Sequence, residues 1–287
     1  MPEGTVLNNT GPRYASQDHT PASGGAGGRL RRGGAGEGGE GPLVGRASAL
    51  LTPRGIAFGV LAVALGLYYR FHESLPNTST WGDVAFLSFV LMPAVFALVY
   101  LALPLRAARE LQLLVVAIAF AILAVILHQA DLNTLADFAK LGAMAFAAFW
   151  FLNFFEALSW VVLVACIVPW VDAYSVWRGP TNNIVHNHRQ VFSTLSFAFP
   201  VPGEASAANL GLPDLLFFSL FLAAAARFGL RMFATWALLV ASFGATIAIA
   251  VAWDKPGLPA LPLLSISFLL ANADLLWRRL HTPGRNE

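Results

Sequence analysis

Polar and apolar positions separate the chain into two unlike parts. Residues 1–53 show no hydrophobic periodicity and almost no aromatic residue. From Gly55 onward eight apolar segments follow one another, at 55–71, 82–103, 110–128, 132–151, 157–177, 209–226, 232–253 and 258–280. A membrane span needs about 20 apolar residues as a helix. In hydrocarbon the backbone must satisfy its own hydrogen bonds, so each segment predicts a transmembrane helix. The polar gaps are short, as at His128 to Leu132, which makes consecutive helices antiparallel neighbours. The fourth and fifth segments nearly fuse through Asn153 and Glu156. The expected fold is an all-α, polytopic transmembrane helix bundle of eight spans.

Composition points the same way. Of 287 residues, 57% are hydrophobic and 12% charged. A soluble domain carries about 25% charge, so a solvated surface of ordinary size cannot be built. The single cysteine, Cys166, excludes a disulfide-stapled secreted domain. Residues 1–53 hold thirteen of the 25 glycines. Such a segment buries too little apolar surface to offset its ordering entropy, and it is expected to be a disordered tail. It lacks the apolar core of a signal peptide. Arg29, Arg31, Arg32, Arg46 and the adjoining Arg54 are placed to meet anionic lipid, although a solvated tail accounts for them better. A net charge of +2 gives no case for nucleic-acid binding.

Charge near the span ends sets orientation. With eight spans, one side receives the tail, Arg106, Arg109, Arg227, Arg231, Arg278, Arg279 and Arg285. The other receives Arg70, Arg178, Arg189 and Lys255, with His72, Glu73, Asp83 and Asp131. The first side is the more basic. The chain is therefore expected as a multi-pass protein of the cytoplasmic membrane of a prokaryote, with both termini cytoplasmic.

Ionisable residues inside a bilayer call for explanation. Asp137 and Lys140 lie three apart and suit a structural ion pair on one helix face. Asp274 has Arg278 four residues on, and Glu156 sits in a turn with access to water. Asp172 and Asp214 differ, because neither has a cation three or four residues away. Asp172 lies about five residues before the end of its span, and Asp214 about five after the start of the next. On antiparallel neighbours both sit roughly 8 Å below the same surface. Two such carboxylates in low dielectric resist being ionised together and share one proton. The ionised member can take a proton from water, and the protonated member can polarise a peptide carbonyl. A proton or ion relay in a channel or transporter uses the same groups.

The last span opens with Gly257, Leu258, Pro259, Ala260, Leu261 and Pro262. Two prolines three apart prevent regular helical hydrogen bonding there. Backbone at that depth must line a cavity or be buried in protein, and it can offer unpaired groups to an extended substrate strand.

Together these residues carry a resemblance. Pro259-Ala260-Leu261-Pro262 is the PALP motif. Gly211-Leu212-Pro213-Asp214 resembles the GxGD motif, with Pro213 in place of its second glycine. Val171-Asp172-Ala173-Tyr174 resembles the segment around the other catalytic aspartate, where Tyr-Asp is usual. The chain resembles the presenilin and signal peptide peptidase type of intramembrane aspartyl proteases over roughly residues 132–280. The family usually has nine spans. The arginine distribution follows the orientation of signal peptide peptidases, whereas the PALP wording is closer to presenilin.

Three regions are expected: the tail at 1–53 and N-terminal transmembrane helices at 54–131, where no family motif is found, and a bundle at 132–281 that the resemblance implies is catalytic. The resemblance implies hydrolysis of peptide bonds within transmembrane segments of membrane-protein substrates, inside the lipid bilayer. Asp172 and Asp214 would be catalytic. Gly211, Leu212, Pro213, Pro259, Ala260, Leu261 and Pro262 would shape the site and bind substrate. No metal or organic cofactor is implied. A prepilin-peptidase-like protease shares the GxGD motif but not PALP. Two rival readings remain, a proton- or ion-coupled transporter and a catalytically inactive family member that binds transmembrane helices.

The connection 178–208 is the longest polar loop after the tail. Its His186 and His188 lack the carboxylate or cysteine partners of a metal site. Its β-branched and aromatic stretch Val191–Phe199 is expected to pair with an unwound substrate.

Overall fold

The computed structural model describes residues 52–178, 195–254 and 258–281. Most of the glycine-rich tail, His186, His188 and Gly257 lie outside the described residues. Helix α1 (Pro53–Phe71) starts where the Thr52 hydroxyl accepts from the Gly55 N–H at 3.2 Å, with Pro53 in the first turn. The next apolar rod comprises α2 (Thr80–Phe86), a π-helical turn at Leu87–Leu91, α3 (Met92–Ala102) and a 3₁₀ turn at Leu103–Ala107. Then come α4 (Glu110–Gln129), α5 (Asn133–Phe151) and α6 (Leu158–Arg178). An antiparallel hairpin of β1 (Ser196–Pro200) and β2 (Ala207–Gly211) leads into α7 (Leu212–Arg227). Helices α8 (Met232–Ala252), α9 (Leu261–Ala271) and α10 (Ala273–His281) complete the order.

Among the described residues, six helical stretches are long and apolar enough to cross a membrane, and a seventh is counted if α9 and α10 form one span. These fit a multi-pass membrane protein, but eight continuous helical spans are not what forms. The segment 209–226 is not helical throughout, because β2 occupies its start and the helix begins only at Leu212. The segment 258–280 is broken, with α9 and α10 meeting at 68°. Asn272 causes the break. Its side-chain amide donates to the Phe268 carbonyl at 3.0 Å and to the Thr235 hydroxyl at 2.9 Å, while its Oδ1 accepts from the Arg231 N–H at 3.0 Å. Such side-chain bonds compete with the helix ladder.

Helix α7 is the axis. Leu220, Phe221, Leu222, Ala223, Ala224 and Ala225 are all fully buried, as expected of a helix apolar on every face and surrounded by others. Helix α4 shows the opposite. Its Leu111, Val115, Ile118, Ile122 and Ile126 form an exposed apolar face, suited to lipid. Between lipid-solvated helices, close packing rather than water expulsion holds the contact. Phe96 stacks on Phe243 at 5.0 Å and lies 4.1 Å from Phe218, and Phe221 stacks on Phe268 at 4.8 Å. Gly244 lets α8 approach the π-helical turn, since a Cβ there would meet the Ser88 Cβ at 2.7 Å.

The hairpin is an addition to the all-helical expectation. In register, Ser196 faces Gly211, Ala198 faces Asn209 and Pro200 faces Ala207. Ser196–Phe199 thus forms a strand as the stretch Val191–Phe199 suggests, but it pairs within the chain. Its outer edge is closed by side chains. The Tyr68 hydroxyl donates to the Pro200 carbonyl at 2.7 Å, the Tyr69 hydroxyl to Ala198 at 2.9 Å, and the Lys140 ammonium to Ser196 at 2.9 Å.

Candidate active site

Three backbone segments bring the predicted residues together. The first is α6. Pro169 inside it withholds an N–H from the helix ladder one turn before Asp172. Trp170, Val171 and Tyr174 are exposed on the outside of the bundle, whereas Asp172 is half-buried. Its Oδ2 accepts a hydrogen bond from the Leu261 N–H at 3.1 Å.

The second segment is the junction of β2 and α7. Gly211 ends the strand and flanks the helix, Leu212 opens it, Pro213 occupies the second position and Asp214 the third. Proline is tolerated in a first helical turn, where its missing N–H has no intrahelical partner to lose. Pro213 is exposed. Asp214 reaches back, so that its Oδ2 accepts from the Gly211 N–H at 3.2 Å. This is the carboxylate half of a capping box. The Leu212 N–H donates to the Leu195 carbonyl at 3.2 Å, which fixes the strand end beside the helix start.

The third segment is the PALP run. Pro259 and Ala260 are non-helical, and α9 starts at Leu261 with Pro262 in its second position. Ala260 supplies no side-chain cap to α9. The Leu261 N–H is one of the donors that a helix start leaves without an intrahelical partner. Asp172 serves it from a different helix, so the aspartate and the motif are directly bonded.

The helices that carry Asp172 and Asp214, α6 and α7, are in contact, and both touch α9, which follows the PALP run. The ion pairs of the described residues are Asp137–Lys140 and Arg231–Asp274. Among those residues, therefore, neither Asp172 nor Asp214 has a cation. Each carboxylate spends one oxygen on a backbone N–H and leaves Oδ1 for another partner.

The other predicted charges lie elsewhere. Asp137 and Lys140 form the expected buried pair at 2.9 Å, and they support the hairpin rather than the dyad. Asp274 pairs with Arg231 across the bundle at 2.8 Å, a partner that its spacing from Arg278 does not name. Glu156 is exposed between α5 and α6. The polar clasp of Tyr68 and Tyr69 on β1 joins residues about 130 positions apart, which the sequence pattern does not encode. The only hint was a tyrosine pair at the end of an apolar segment. Compared with known proteins, the chain matches no family model and no curated sequence.

Proposed function

We infer that this chain is an intramembrane aspartic endopeptidase that hydrolyses peptide bonds within transmembrane segments of other membrane proteins. One observation carries the reading: Asp172 and Asp214 stand on helices in contact, neither has a cation among the described residues, and the PALP backbone donates to Asp172. In the reaction the ionised carboxylate takes a proton from water as the oxygen attacks the carbonyl carbon. The protonated carboxylate gives its proton to the carbonyl oxygen. Collapse of the tetrahedral species breaks the C–N bond and returns a proton to the leaving amine.

Substrate must enter unwound, because a helical peptide bond is shielded by its own ladder. The hairpin supports this step. Antiparallel pairing alternates bonded and outward-facing residues. Ala198 faces outward on β1, so its partner Asn209 turns its backbone to the outer edge of β2. That edge runs directly into Gly211 and Asp214, and an extended segment can pair there.

Orientation follows from the arginines. Arg106 and Arg227 meet at the end of the bundle where α7 terminates, and Arg279 bonds the Phe228 carbonyl there. The basic end belongs in the cytoplasm, and the aspartates lie toward the opposite end.

A second reading is a helix-binding protein without catalysis. It is favoured by the same two hydrogen bonds, since a carboxylate serving a helix start has a structural role of its own. Cleavage of a panel of transmembrane substrates by purified protein in lipid separates the two. Cuts within the apolar segment that vanish in both Asp172→Asn and Asp214→Asn support the protease. Substrate cross-linking without cleavage, in folded protein, supports the second reading.

A further inference from the structure

At the end of the bundle opposite the aspartates, the stretch 80–107, α5 and α7 terminate together. They border an open hollow of about 240 Å³ lined by Arg106, Ala107, Phe149, Leu152, Asn153 and Arg227. Phe149 and Leu152 are buried and form its floor, while Ala107 and Asn153 are exposed at its rim. A water molecule takes about 30 Å³ in the liquid, so the space admits a much larger group.

The two arginines are held in place. Arg106 Nη2 donates to the Ala226 carbonyl at 2.9 Å, and Arg227 Nη1 donates to the Leu152 carbonyl at 2.7 Å. Both carbonyls stand at helix C-termini, where cations are favoured. A guanidinium has five N–H donors, so these bonds leave most of each head unused. Arg106 Nε is buried and has no hydrogen-bond partner. No carboxylate is among the described residues that line the cavity. Two guanidinium groups around one space repel each other unless an anion lies between them, and their planar forks match a phosphate.

The surroundings identify the source of that phosphate. The stretches 80–107 and 133–154 end here as candidate spans, which puts the cavity at the boundary of lipid and water. Leu105, Phe151 and Phe154, close in sequence to the lining residues, are exposed apolar side chains. We propose that this cavity binds the phosphate group of an anionic membrane lipid, held between Arg106 and Arg227 with its acyl chains over Leu105, Phe151 and Phe154.

Native mass spectrometry of the full chain, released from mixed micelles, tests this with phosphatidylglycerol, phosphatidylcholine and inorganic phosphate as separate probes. Phosphatidylglycerol is expected to be retained about tenfold more than phosphatidylcholine, the preference that a charge-assisted contact confers. The double variant Arg106→Gln, Arg227→Gln loses that preference. Because it also removes two helix caps, Ala107→Phe is the second variant. It fills the rim, keeps both arginines and loses the preference too. Inorganic phosphate bound in an arginine-dependent way, without lipid, assigns the same site to the free ion. Equal retention of both lipids with no phosphate bound overturns the proposal. So does phosphatidylglycerol retention unchanged in both variants when circular dichroism shows them folded.

Discussion

The two ends of α7 carry opposite chemistry, and each obeys the helix dipole. Asp214 stands in the first turn and Arg227 in the last, where a negative and a positive charge are favoured. On those grounds alone neither residue is more than a cap. The difference lies in what each end adds. At the start, α6 brings a second carboxylate, Asp172, with no cation paired to either among the described residues. At the finish, Arg106 brings a second guanidinium to a cavity that no carboxylate among the described residues lines. Charges of one sign, gathered beyond what the caps use, are the ground for proposing a partner at each end. The balanced pair Asp137–Lys140 marks the opposite case, a site the fold completes by itself.

The largest effect should break the acidic end. Asp172→Asn or Asp214→Asn is expected to lower the cleavage rate by roughly 10²–10⁴-fold, the usual worth of a positioned acid or base, read in a lipid-reconstituted assay. A next step tests the balanced pair. Lys140→Met leaves Asp137 as a buried, unpaired charge and should destabilise the fold by about 3–5 kcal/mol. Thermal unfolding in detergent checks this, and the double variant Asp137→Asn, Lys140→Met should recover much of the loss. Between the two ends, Gly244→Ala drives a methyl into Ser88 and should cost about 1–3 kcal/mol through overpacking. Ser88→Gly in the same chain should restore the melting temperature. The smallest change is Tyr68→Phe. It removes one hydrogen bond from the hairpin edge, worth about 0.5–1.5 kcal/mol, and a small shift of the same transition measures it.

Much of the acidic end was legible in the sequence, because it needs only local rules. Spacing pairs Asp137 with Lys140, whereas the apolar segment 209–226 puts Asp214 about five residues into its helix and α7 holds it in the first turn. The proline pattern marks the irregular start of α9. What escaped depends on residues far apart in the chain. The hairpin needs Ser196 to find Gly211 and Tyr69 to find Ala198, and no periodicity encodes such partners. The apolar run 258–280 hides its own break, since Asn272 acts through Thr235 and Arg231, which belong to the preceding segment. The basic cavity is hidden for the same reason. Arg106 and Arg227 are separated by three helices in sequence and meet only when the bundle closes.

That meeting also has a mechanical side. Arg106 reaches from the stretch 80–107 to the end of α7, and Arg227 reaches from α7 to the end of α5. Each helix is tied at its tip to the next by a side chain from a different element, as staves are lashed at a rim. A tug on any one of the three is passed to the others through these two bonds.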